Sequence, residues 1–228
     1  MRVDRIGKLI FVGLNLNPLL AQTSKYPPLS DYMMNRAAEI SLAKSAAPAS
    51  ISDRATIEVL SATGYQLAHT GDNGFTCLVM RGWAAPTFTP AKGRDLVYDT
   101  HLRAPICFDP IASRTVLPYY ELRSRLGMER KTPDEITREV EAAYTNGTLP
   151  KRDAVSFAYM FSADQDVGGG YGHWHPHMMV FCPYYTNPML GGNPFGGNLP
   201  LVTDDAGTPF ALVIIAVDDR LAIKPRPE

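Results

Sequence analysis

Three of the five histidines in the chain fall at alternate positions within "GGGYGHWHPHMMVF", residues 168–181: His173, His175 and His177. Imidazole is the commonest transition-metal ligand. Two of them on alternate strand positions, about 6.6–7 Å apart, can converge on one ion with metal–nitrogen bonds of about 2.0–2.1 Å. Along a regular strand His173 and His177 stand roughly 13 Å apart, so a tripod made from this stretch alone needs a bend or bulge near Pro176. The expectation is therefore an HxH pair drawn from His173, His175 and His177, holding zinc or another divalent transition metal with a further ligand from elsewhere. His69, His101, Asp164 and Asp166 are the candidates, and Asp166 is alternatively the base that activates a metal-bound water. That chemistry is hydrolysis of a small ester, lactone or amide. The competing reading makes His177 a hydrogen-bonded core or strand-edge residue and leaves His173 and His175 on a solvated loop. The protein is then a non-enzymatic secreted or envelope protein that binds a small molecule or partner through aromatic, glycine-rich loops over 163–208, where Tyr171, Trp174, Tyr184, Tyr185 and Phe195 cluster.

Other catalytic signatures are missing from the sequence. There is no GxSxG nucleophile elbow. "SLAK" at 41–44 has SxxK spacing and "YTN" follows at 144–146, but the K-T/S-G strand that completes that set is absent and "SLAK" falls on an amphipathic helical pattern. The runs "GGGYG" and "GGNPFGG" have neither GxGxxG spacing nor a Walker lysine. An HxH pair after a glycine-rich segment is similar to the cupins, which place a glutamate a few residues further on, where Met179 and Val180 stand here. Carbonic anhydrases share the HxH pair and nothing else of this chain.

The elements that must position these residues follow from composition and periodicity. With 228 residues, 45% hydrophobic and 20% charged, the chain can bury a sizeable core. Its 22 basic and 23 acidic residues include no basic run, so a nucleic-acid partner is disfavoured. Residues 1–21 have Arg2, Arg5 and Lys8, then an apolar run from Leu9 to Leu20, the layout of a signal peptide, leaving one domain over 22–228 in a secreted or periplasmic protein. No later segment has the roughly 18 apolar residues of a transmembrane span. Cys77 and Cys107 both lie in strand-like contexts and are expected to pair, closing a loop of about 30 residues and adding roughly 3 kcal/mol, with Cys182 left over.

Along the chain, Met34, Ala37, Ala38 and Leu42 form a helical stripe opened by Ser30 and Asp31 and stopped by Pro48. Three antiparallel strands are expected over 55–83, then short strands at "DLVYD" and "ICFD". Two helices follow: "TVLPYYELRSRLG", stopped by Gly127, and "TPDEITREVEAAYTNG", with Thr132 as N-cap, Pro133 at the first position and Asn146-Gly147 as terminator. Strands return at "AVSFAYMF", "HMMVFCPYY" and "FALVIIAV". This order predicts an α+β fold with a largely antiparallel sheet and two or three packed helices. The segments "RAAEISLAKSAAPASISDRATIEVL", "NGFTCLVMR", "PICFDP", "YMFSA" and "HPHMMVFCPY" together resemble a group of uncharacterised exported bacterial proteins over residues 36–185. That resemblance implies export and a single domain, and brings no activity or catalytic residues.

Overall fold

The computed structural model describes residues 25–84, 96–152, 154–169, 172–191, 200–202 and 206–227. The leader expected over 1–21 lies outside them, as do Tyr171 and Phe195. Eight strands form one sheet: β1 (Thr56–Ser61), β2 (Gly64–His69), β3 (Thr76–Met80), β4 (Ala104–Phe108), β5 (Ser156–Met160), β6 (His177–Phe181), β7 (Leu201–Val202) and β8 (Leu212–Ala216), in the order β2-β1-β3-β4-β5-β6-β8-β7. All neighbouring pairs are antiparallel except β1 with β3. Five α-helices accompany the sheet among the described residues: α1 (Arg36–Lys44), α2 (Ala49–Ser52), α3 (Pro110–Thr115), α4 (Leu117–Met128) and α5 (Pro133–Thr145). The α+β class and the largely antiparallel sheet are those expected. No helix among the described residues is long and apolar enough to cross a membrane.

The two-residue side-chain period of the strands divides the core cleanly. On one face Ile57, Cys77, Val79 and Cys107 meet Leu42, Ala43, Ala46 and Ala47 of the α1 segment. The small alanines allow α1 to lie close on the strands. Cys77 and Cys107 are direct cross-strand partners and are joined by a disulfide, as expected. On the other face Leu78, Ile106, Phe108, Ala158 and Phe181 meet Leu117, Tyr120, Ile136 and Val140 of α4 and α5. Those helices and this face enclose the site described below.

Several local expectations change. The first helix begins at Arg36, not after Ser30, because Asn35 accepts from the N–H groups of Ala37 and Ala38; Leu29–Tyr32 is a separate 3-10 turn. The strands over 56–80 are not all antiparallel, since β3 crosses to the far side of β1 and runs parallel to it. Gly71 makes that crossing feasible: a Cβ there would stand 2.2 Å from the backbone carbon of Ala55. "DLVYD" forms no strand: Leu96 is helical and Val97 and Tyr98 form a turn. Gly127 does not stop α4, which runs to Met128; a side chain at Gly127 would meet the Trp83 indole at 2.3 Å, so the glycine makes room for a buried tryptophan. The capping box of α5 is as read, with Thr132 accepting from the Glu135 N–H and Glu135 accepting from the Thr132 N–H.

The chain ends in a strap. Ile223 forms a parallel bridge with Ser162, the Ser41 hydroxyl donates to the Arg226 carbonyl, and the Arg226 guanidinium donates to Asp53 at 2.8 Å. Ser41 of "SLAK" is thus engaged by the tail.

Candidate functional site

Between the sheet and α4 lies a cavity of about 220 Å³. Its floor is the alternating face of five strands, with Met80, Ala104, Met160, Met179, Leu212 and Ile214. Helix α4 contributes Tyr119, Tyr120 and Arg123, the loop before β5 adds Arg152, and the turn before β8 adds Phe210. The surface offered to a ligand is therefore mostly hydrocarbon and aromatic ring. No Asp or Glu lines it among the described residues.

Three arginines reach this region, and their surroundings differ. Arg81, fully buried, donates from all three nitrogens: Nε to the Tyr32 carbonyl at 2.8 Å, Nη1 to the Val79 carbonyl, and Nη2 to Glu39 Oε1 at 2.8 Å. Glu39, itself buried, also accepts from the Leu60 N–H at 3.1 Å. Arg123 is 1% exposed and has one such bond, from Nη1 to the Tyr119 hydroxyl at 2.7 Å; its Nε and Nη2 have no hydrogen-bond partner among the described residues. The Nε and Nη2 of Arg152 are likewise buried and unpartnered among them. Arg152 is held instead by rings: its guanidinium carbon lies 4.6 Å from the Tyr119 ring centre, 5.3 Å from that of Phe210 and 5.9 Å from those of Tyr144 and Phe181. Burial pushes the Tyr144 phenol up to about 12, so it stays neutral beside the cation.

The histidine segment is split between this cavity and the surface. His177 opens β6, is 3% exposed and lines the cavity, with Trp174 edge-on to its ring at 4.6 Å between centres. Its Nδ1 sits 2.8 Å from the His175 carbonyl, which can only accept, so Nδ1 carries the proton and Nε2 keeps its lone pair. Burial pulls its pKa down to about 4, which holds the ring neutral at pH 7. His175 is exposed, its Nδ1 donating to Asp219 at 2.7 Å, and His173 is exposed. The three would share an alternating geometry only if the strand began before His173. It begins at His177 because Pro176 has no N–H to give to a ladder and because buried Gln165 donates to the Trp174 and His175 carbonyls at 2.8 and 3.0 Å, removing them from strand pairing.

The other expected residues lie apart from the cavity. Asp166 pairs through its backbone with Arg103, and its side chain accepts from the Gly168 N–H at 2.8 Å. Asp164, Asp166 and His101 border a separate groove beside α1, and His69 is on β2 at the sheet edge. Among the described residues no group of three or more His, Cys, Asp or Glu side chains is gathered closely enough to hold a metal ion.

Sequence reasoning did not single out Arg123, Arg152, Tyr119 or Phe210. One signal for them was present: Tyr119 and Arg123 are four residues apart on α4 and hence on one helical face, which puts a charge on the stripe that should be buried. Arg152 and Phe210 sit in loops, and nothing local foretells that they meet.

No family model, no curated protein and no solved structure matches this chain.

Proposed function

We propose that the protein binds a small, largely apolar molecule in the cavity between the sheet and α4. The observation that carries this reading is the cavity itself. Protein interiors are close-packed and leave few voids larger than a water molecule, whereas an apolar cavity of about 150 Å³ already accepts benzene. The 220 Å³ here exceeds that. Calorimetric titration of the full-length chain with 1-octanol is expected to show saturable binding. Ala104→Phe, which fills the floor, is expected to abolish it. Absence of binding, or equal affinity in the Ala104→Phe protein, would sink the reading.

The Cys77–Cys107 disulfide supports placement in an oxidising compartment, secreted or periplasmic, since such bonds persist there and are rare in the cytosol. Thiol alkylation and mass spectrometry of the protein recovered from its native cells is expected to find Cys182 alone reactive after denaturation.

A second reading, metal-assisted hydrolysis of a small ester, lactone or amide, draws support from one feature. His175 and His177 both commit Nδ1 to an oxygen acceptor, which leaves each Nε2 as the basic nitrogen, the tautomer that metal-ligating histidines adopt. Zinc or another divalent transition metal would then be held by such a pair with a third ligand. Elemental analysis of tag-free protein decides the matter: a stoichiometric metal that is lost in His175→Ala supports it, and no metal with no rise in melting temperature on zinc addition removes it.

A further inference from the structure

Arg123 and Arg152 both line the cavity and share a feature. In a guanidinium, Nε and Nη2 form one edge, with two parallel N–H bonds that match the two oxygens of a carboxylate. On Arg123 and on Arg152 this is the edge whose nitrogens are buried and unpartnered among the described residues. Both guanidinium carbons lie near the same Tyr119 ring, 5.2 and 4.6 Å from its centre. The Arg123 head is tethered by its bond to the Tyr119 hydroxyl and the Arg152 head is enclosed by four rings, so both are already placed beside the cavity, and a shift of the covering side chains opens their buried nitrogens to a ligand. The third arginine is neutralised by Glu39, and no acidic side chain lines the cavity among the described residues. The remaining charge has one sign, while the rest of the lining is apolar.

This inference rests on the cavity being a binding site and adds the nature of its ligand. We propose that the ligand is an organic carboxylate with an apolar body, its carboxylate gripped by the free edges of Arg123 and Arg152 and its body lying on the methionine and leucine floor of the sheet. In proportion to benzene in a cavity of about 150 Å³, the space accommodates roughly nine heavy atoms, the size of a medium-chain fatty acid or a small aromatic acid. Burying the carboxylate there neutralises charge that the fold otherwise leaves uncompensated, so the headgroup contributes affinity as well as orientation.

The test compares two molecules with the same body and different heads. Octanoate and 1-octanol are titrated into the full-length chain at pH 7 and the affinities measured by calorimetry. Octanoate is expected to bind at least tenfold more tightly. Arg123→Met should bring the two affinities within about threefold, chiefly by weakening octanoate, about the loss of one charge-assisted contact. Arg123→Lys keeps the charge without the fork and should fall between. Equal affinities in the unaltered protein overturn the carboxylate proposal and leave the cavity reading standing; failure of both molecules to bind ends both. Should Arg123→Met not fold, Arg152→Met takes its place, and a tenfold preference that survives in Arg152→Met and in Arg123→Lys alike also overturns the proposal.

Discussion

Arg81 and Arg123 are both stripped of solvent within one small region, yet their surroundings have little in common. Arg81 donates to two carbonyls and to a buried carboxylate that is itself held by a backbone N–H. Arg123 has a single phenol and two nitrogens without partners among the described residues. The first arrangement joins α1 to the ends of β1 and β3 and is complete in itself. The second leaves two nitrogens unmet by the described residues. A buried charge can thus be held in two ways, and its hydrogen-bond inventory tells them apart: full satisfaction marks architecture, and an unpaired edge on a cavity-lining residue is the feature on which the carboxylate proposal stands. The two faces of the sheet follow the same division, with alanines and a disulfide closing one and a cavity kept open on the other.

The contrast can be broken most forcefully at Arg81. Arg81→Met strands Glu39 as a lone buried carboxylate, and urea unfolding is expected to show a loss of about 3–5 kcal/mol. Removing the disulfide acts on the same closed face: Cys77→Ser should cost about 3 kcal/mol in that assay through the gain in unfolded-chain entropy. Arg123→Met should change stability by no more than about 1 kcal/mol, since the hydrogen bond lost to Tyr119 is offset by relief of a poorly compensated charge. A loss at Arg123 as large as that at Arg81 would erase the distinction.

The smallest effect is in the pH profile. Burial, with the neighbouring Glu121 carboxyl, pushes Glu58 up to about 7, and burial raises Glu121 as well. The folded protein therefore binds more protons than the unfolded chain above the ordinary glutamate range. The stabilisation is full at low pH and is lost as pH rises through about 7. His177 works in the opposite sense. Its folded value of about 4 lies below the ordinary histidine value of 6.5, so its contribution is present above pH 6.5 and lost as pH falls toward 4. Glu58→Gln should flatten the decline between pH 5 and 8, measured by urea midpoints, and leave the acid limb in place. Glu121 sits on α4 two residues before Arg123, so the helix over the open face carries both the strained acid pair and the unpaired arginine.

The parts of this molecule written in short-range pattern could be read before the fold was seen. Thr132, Pro133 and Glu135 define the start of α5 by local hydrogen bonds, and β5, β6 and β8 stand out as apolar runs, of which β5 and β6 alternate in burial. The Cys77–Cys107 pairing was legible because both residues lie in apolar strands of suitable separation. Crossing of β3 beyond β1 was not, since it depends on the close approach at Gly71. For the site, the histidine spacing drew attention to β6 and the turn before it, where His173 and His175 stand exposed and His177 is buried. His177 does line the cavity, but Gln165, a residue with no motif, decides where β6 begins. The arginines escaped because lack of a partner is a property of the folded surroundings, and no sequence window contains it.

The disulfide has a consequence on the side of the sheet it does not face. Cys77 and Cys107 point toward α1, but β3 ends at Met80 and β4 begins at its partner Ala104, two residues of the cavity floor. A covalent tie between β3 and β4 prevents that part of the floor from spreading. For the proposed ligand, room for a bulkier body then has to come from the opposite wall, from α4 and the aromatic turn at Phe210, a vice with one fixed jaw.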